Sequence, residues 1–144
     1  MKSSQFYKTT AWKWFSKYIL LYYSKDGVCK CATCGNMKMI NDKKMHLGHL
    51  IKVFESGGNT NFAVAFNEKN VLPQDYRCNV LSGGNELKML DAIERTHGKG
   101  TYDDLRLASR SFFKLDKFTL DLIAQEYRIK FNELAKIKGN PWKT

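Results

Sequence analysis

Cys31-Ala32-Thr33-Cys34-Gly35 is a C-x-x-C knuckle, a short backbone turn that brings two thiolates onto one metal ion. Zinc takes four ligands, so this pair is an incomplete site, and the rest of the chain must be read for partners. His46-Leu47-Gly48-His49 follows, with two imidazoles three residues apart. On a strand that spacing places them on opposite faces, so a shared site requires a turn or kink, which Gly48 could supply. Asn70 comes next, and then Gln74-Asp75-Tyr76-Arg77-Cys78-Asn79 offers a distant thiolate beside an amide.

The chain is 144 residues long, enough for one compact domain and too short for two ordinary ones. Its 43% hydrophobic and 26% charged residues are those of a globular protein, and no apolar run reaches membrane-spanning length. The opening Met1-Lys2-Ser3-Ser4-Gln5 has no apolar signal-peptide core, which predicts a cytoplasmic protein. If the chain is phage-encoded, the compartment is the host cytoplasm. In that reducing compartment four cysteines indicate metal ligation or buried thiols rather than disulfides.

Charge points to a polyanionic partner. The formal net charge is +10, and it is uneven: residues 1–60 carry ten basic against three acidic side chains, residues 61–100 five against five, and residues 101–144 nine against six. A basic excess concentrated in one part suggests a surface that meets phosphate, although charge alone does not indicate catalysis.

Periodicity supplies the expected elements. Residues 10–23 read as a helix capped by Thr9 or Thr10, with Trp14, Phe15, Tyr18, Leu21 and Tyr22 at helical spacing and Lys13 and Lys17 between them. Aromatics beside lysines can stack on bases, but at this density they read as core. Asp26-Gly27 marks a turn. Met37 to Ile51 reads as paired short strands about an Asn41-Asp42 tip, residues 55–61 as an exposed loop, and Phe62 to Phe66 as a strand. Residues 67–73 read as an irregular turn or broken helical segment. A helix is expected through Glu86–Thr96, ended by Gly98, and a last helix carries Leu120, Ile123, Ala124, Tyr127, Phe131 and Leu134 until Gly139 and Pro141 stop it. With no repeats or linker, one α+β domain is expected, with a motif core over about residues 29–98 and helical flanks over 10–24 and 102–138.

Taken in order, a C-x-x-C pair, an H-x-x-H pair, an Asn, a Cys-Asn pair and a helix resemble the HNH nucleases. Cys31-Ala32-Thr33-Cys34-Gly35, His46-Leu47-Gly48-His49, Phe66-Asn67-Glu68-Lys69-Asn70, Gln74 with Cys78-Asn79, and Leu81-Ser82-Gly83 are similar to the segments of the phage NinG/Rap recombination nucleases. The likeness covers about residues 18–100. A more distant one is to phage recombination endonuclease VII, which also sets an Asn directly after its last zinc cysteine.

The resemblance implies a ββα-metal, treble-clef-like core with a zinc knuckle, flanked by N- and C-terminal helices. It implies a metal-dependent endodeoxyribonuclease acting on branched recombination intermediates. His49 matches the general base, His46 and Asn79 the ligands of one catalytic divalent ion, and Asn70 the residue that holds the base-bearing loop. Arg77, Lys43, Lys44 and Lys52 are the expected phosphate contacts. A structural zinc is implied at Cys31, Cys34, Cys78 and one further residue.

Two departures from the family pattern matter. Asp75 stands where a second C-x-x-C pair would begin, so three arrangements are open: Asp75 completes the zinc site, Cys29 completes it, or zinc is lost and the thiols are merely buried. His46 stands where many relatives carry Asp, and an imidazole favours Mn²⁺ or Ni²⁺ over Mg²⁺. Two other functions fit the same residues: a zinc-stabilised DNA-binding module without catalysis, and a homing or restriction-type HNH enzyme that reads a defined sequence. Coordinated cutting of two strands would favour a homodimer on symmetry grounds.

Overall fold

A computed structural model of the protein describes residues 1–143. The single-turn helix α1 (Ser3–Phe6) delivers Phe6 fully into the core. Thr9 then takes an extended conformation and accepts a hydrogen bond from the Trp12 amide at 3.2 Å, which starts α2 (Thr10–Tyr23). Its buried face carries Ala11, Phe15 and Ile19, as the 3.6-residue period requires.

After a turn at Asp26 and Gly27, both at positive φ, β1 (Val28–Lys30) pairs antiparallel with β2 (Met37–Met39). The cysteine knuckle occupies the loop between them. Its turn is closed by the Gly35 amide on the Cys31 carbonyl at 3.0 Å, and Gly35 has the positive φ of 81° that the bend needs. A second antiparallel pair joins β3 (Met45–His49) to β4 (Val71–Asp75), with His46 opposite Gln74 and His49 opposite Val71.

The strands read between Met37 and Ile51 therefore exist but do not pair with each other. Each finds its partner elsewhere: β2 folds back across the knuckle onto β1, and β3 crosses to β4. The physical reason is burial. All five residues of β4 are buried, and a strand covered on both faces is the better partner for Leu47 and Gly48 than the exposed β2. Phe62–Val64 is a 3₁₀ turn instead of a strand. Its apolar residues pack toward Phe6 and the core from a loop, and among the described residues no neighbouring strand offers a hydrogen-bond ladder. Residues 67–73 divide into a second 3₁₀ turn, Glu68–Asn70, and the start of β4.

β4 runs into one wide π-type turn, Arg77–Leu81, and then through Gly83, Gly84 and a left-handed Asn85 into α3 (Glu86–His97), which Gly98 ends. The helical C-terminal part comes in two pieces, α4 (Thr101–Ser109) and α5 (Lys117–Lys138), separated by residues 110–116. Asp116 caps α5 by accepting from the Thr119 amide at 2.8 Å. α5 lies along α2, where the Tyr127 ring meets Phe15 edge-on at 4.8 Å. Lys138 Nζ donates to the carbonyls of Leu21, Tyr22 and Ser24 at 2.9, 2.8 and 2.7 Å, so the end of α5 caps the end of α2 with a cation. The architecture is α+β, with two small antiparallel sheets held among helices. Among the described residues no helix is long and apolar enough to cross a membrane.

Candidate metal centre and cleft

Four side chains from three elements converge at the knuckle. Cys31 and Cys34 come from the loop after β1, Asp75 ends β4, and Cys78 lies in the wide turn that follows. One ligand atom from each lies within 4.8 Å of all the others. The group can hold a metal ion such as zinc, with three sulfurs and one carboxylate oxygen as a tetrahedral donor set.

The protons within the cluster show what a cation would relieve. Cys34 Sγ donates to Asp75 Oδ2 at 3.0 Å, the Cys78 amide donates to Asp75 Oδ1 at 3.0 Å, and the Asp75 amide donates to Cys31 Sγ at 3.3 Å. Burial alone would raise the Cys31 thiol, but the amide of Asp75 and the hydroxyl of Thr33 bring it down to about 7. Desolvation, followed by the Asp75, Cys31 and Cys78 side chains, pushes Cys34 up to about 12. Asp75 is fully buried, yet hydrogen bonds from Cys34 and the Cys78 amide hold its carboxyl below the usual range. Four acidic groups in one place, one of them a buried carboxylate, form a site that a divalent cation stabilises.

Cys29 is not the fourth ligand. Its thiol is buried in the core, donates to the Leu20 carbonyl at 3.2 Å, and is pushed up to about 12 by burial. Cys29 sits mid-strand in β1 and packs among Leu20, Leu21 and Ile40, whereas Cys31 lies past the end of the strand, in the knuckle loop, where strand alternation no longer sets its direction.

Beside the β3–β4 pair a cleft of about 640 Å³ opens. His46 and His49 from β3 line it, as do Asn79 from the wide turn, Lys52 after β3, Gly83 and Gly84 before α3, and Trp12, Ser16 and Leu20 from α2. The two histidines border one cavity despite their spacing, because the cleft takes its lining from both faces of β3: Met45, Leu47 and His49 alternate with His46, and all four border it. His46 Nδ1 lies 3.1 Å from Asn79 Nδ2. Turning that amide over would place Oδ1 beside the imidazole nitrogen, so the pair fits two donors of an open metal site.

His49 Nε2 is 2.9 Å from the Ala65 carbonyl oxygen. A carbonyl only accepts, so Nε2 carries the proton and Nδ1 keeps its lone pair. The ring stacks on Trp12 at 5.1 Å with 29° between the planes. Burial pushes the His49 imidazole down to about 4, and the Ala65 hydrogen bond offsets part of that shift.

The Asn70 side chain hydrogen-bonds to neither histidine. Fully buried, it accepts from the Ile51 amide at 2.8 Å and donates to the carbonyls of Ile51 and Val64 at 3.0 and 3.1 Å. It thereby ties the exit of β3 to the loop that carries Ala65, the hydrogen-bond partner of His49. Removing the three side-chain bonds from this buried site leaves the Ile51 amide and carbonyl unsatisfied, while the Val64 carbonyl keeps its bond from the Asn67 amide at 3.3 Å. Asn70→Ala is expected to cost about 2–4 kcal/mol, read as a lower urea midpoint at unchanged slope. A loss under about 0.5 kcal/mol would contradict this placement.

The expected phosphate contacts separate into two groups. Lys52 is exposed on the rim of the cleft. Lys43, Lys44 and Arg77 gather at the far end of the β3–β4 pair, where the Tyr76 amide donates to the Lys44 carbonyl at 2.7 Å. All three are exposed, and none borders the cleft.

Sequence reasoning missed two contributors. Trp12 covers the His49 ring, although α2 aromatics read simply as core. Gln74, fully buried, donates from Nε2 to Thr33 Oγ1 at 3.0 Å and to the Gly84 carbonyl at 2.8 Å, joining the knuckle to the floor of the cleft. Gly48 is required beside it, because a Cβ there would collide with Gln74 Oε1. The Gly between the histidines was the available signal, but its reason lies in a residue on the opposite strand.

No protein-family model matches the chain, and neither a curated protein nor a solved structure matches it.

Proposed function

We propose that this protein is an HNH-type DNA endonuclease related to the NinG/Rap recombination nucleases. In this reading β3, β4 and the wide turn leading into α3 form the ββα unit. The observation that carries the proposal is that His46, His49 and Asn79, separated in sequence, border one cleft, with His49 Nδ1 making no hydrogen bond among the described residues.

The chemistry is hydrolysis of a phosphodiester. His49, held in one tautomer by Ala65 and in one plane by Trp12, accepts a proton at Nδ1 from water as its oxygen bonds to phosphorus. The P–O3′ bond breaks, and the departing oxygen takes a proton from solvent. A divalent ion held by His46 and Asn79 would supply positive charge at the phosphate and at the leaving 3′ oxygen. Lys52 on the rim pairs with a phosphate of the bound strand. The cysteine–aspartate site is structural: it fixes Cys78, and Asn79 is the next residue.

The low pKa of His49 has a consequence for rate. Its neutral form persists well below the ordinary histidine value of 6.5. At Mn²⁺ kept saturating at every pH, cleavage is expected to stay level as pH falls from about 7.5 to about 5.5, with no midpoint near 6.5. A midpoint near 6.5 would place the base in water rather than under Trp12. The sign for stability is the reverse of a paired histidine. Between 6.5 and about 4 the unfolded chain takes up a proton that the folded chain refuses, so stability falls as acid is added.

The substrate is proposed to be branched DNA. Cleavage of a labelled four-way junction and a matched linear duplex, with Mn²⁺, Ni²⁺ or Mg²⁺, tests the whole reading. Metal-dependent nicking, faster on the junction and faster with Mn²⁺ or Ni²⁺ than with Mg²⁺, is the expected result. Binding without cleavage in every ion would instead make the protein a zinc-supported DNA-binding module. Cutting at one defined sequence of the duplex would make it a sequence-reading HNH enzyme.

A further inference from the structure

The wall that α2 gives to the cleft continues outward as a second basic surface. Trp12 and Ser16 line the cleft, and a helix turns by about 100° per residue, so Lys13 and Lys17 stand beside them, one turn apart. Lys13 Nζ sits 5.3 Å from the centre of the Trp14 ring. Lys17 Nζ lies 5.8 Å from Trp14 and 5.2 Å from Trp142, which arrives from beyond α5 and packs on Phe131. Two ammonium groups are thus held by two indoles that come from opposite ends of the chain.

This arrangement lacks an anion. Among the described residues no carboxylate lies within ion-pair distance of Lys13 or Lys17, and the ion pairs present are on α3, near or along α5, and at Glu68. Like charges four residues apart destabilise a helix. Burial, and after it the charge of Lys13, lowers the Lys17 pKa. An indole face orients a cation without neutralising it, so the pair remains available to phosphate. Lys138, at the end of α5, is already committed to the carbonyls that end α2.

We propose that Lys13 and Lys17, braced by Trp14 and Trp142, form a track for the DNA sugar-phosphate backbone outside the cleft, along the duplex arm that leaves it. This deepens the nuclease reading by extending its substrate contact beyond the scissile phosphate, and it rests on that reading for the path of the DNA. Binding can nevertheless be measured without cleavage.

The test uses the full zinc-containing chain with no added Mn²⁺, Ni²⁺ or Mg²⁺, so that DNA stays intact. Fluorescence anisotropy with a labelled linear duplex is followed over a range of salt concentrations for wild type, Lys13→Gln/Lys17→Gln, Lys13→Arg/Lys17→Arg, and a control Lys88→Gln/Lys99→Gln. Loss of two phosphate contacts is expected to lower the slope of log affinity against log salt by about 1.8 in the first variant. The arginine variant should keep the wild-type slope, and the control should change it much less. An unchanged slope in Lys13→Gln/Lys17→Gln would make the lysines mere cover for the indoles. An equal loss in the control would reduce the effect to net charge, and either result overturns the track. Failure of the nuclease reading shows up separately, as binding that never leads to cleavage.

Discussion

His49→Ala is expected to lower DNA cleavage by about 10²–10⁴-fold while DNA affinity stays within about twofold of wild type. The size of the effect follows from the base role proposed for the imidazole. Its Nε2–H is committed to the Ala65 carbonyl, its face lies on Trp12, and only Nδ1 is left for the attacking water. The substitution also leaves a gap under Trp12, so the fold must be checked in the same experiment by thermal unfolding. Added imidazole provides the sharper check: partial recovery of cleavage by free imidazole is expected of a lost base and not of a lost packing group. Cleavage at the wild-type rate would remove His49 from the chemistry. Joint loss of folding and DNA binding, with no recovery by imidazole, would make it a structural histidine.

The second large effect concerns the metal centre. The purified protein is expected to carry one zinc per chain by elemental analysis, and Cys78→Ser should lose that zinc and about 3–5 kcal/mol of stability. The knuckle explains the magnitude. Cys31 and Cys78 are buried, so losing one sulfur from the cluster leaves the remaining thiols and carboxylate without a shared cation. Without an ion, the buried Asp75 carboxylate is left with a thiol, the Asn36 amide and one backbone amide as its partners. Cleavage should fall with zinc loss, because Cys78 and Asn79 share one turn. Asp75→Cys supplies a sulfur at the same place and is expected to keep zinc, whereas Asp75→Ala is expected to release it. Wild-type protein free of zinc, with a melting temperature unmoved by a strong chelator, would leave these residues as a hydrogen-bonded thiol cluster.

Much of this protein was legible from short-range pattern. The bounds of α2 match the periodic stretch begun by Thr9, Gly98 closes α3, and Gly139 closes α5. Each of these depends on residues within one or two turns of one another, where period and capping chemistry act directly. The chemistry-bearing residues were also visible, because cysteines and histidines at close spacing are few enough to stand out.

Pairing and placement were not legible in the same way. Asn41-Asp42 looked like a hairpin tip, but the strands on either side belong to different sheets. Phe62 to Phe66 has the alternation of a strand and no strand to pair with. Cys29 and Cys31 are equivalent as letters, yet one thiol faces the core and the other the metal centre.

The sequence by itself therefore determined the helices, the composition of the knuckle and the order of the candidate ligands. These follow from local geometry and from side-chain chemistry that does not depend on neighbours. Only the tertiary structure decided that Asp75 rather than Cys29 joins the thiolates, that His46 meets Asn79, and that Trp12 lies over His49. Cys34 and Asp75 are 41 residues apart in the chain, and His46 and Asn79 are 33 apart. Contacts at such separations depend on which surfaces win burial in the whole molecule, and no local period encodes that competition.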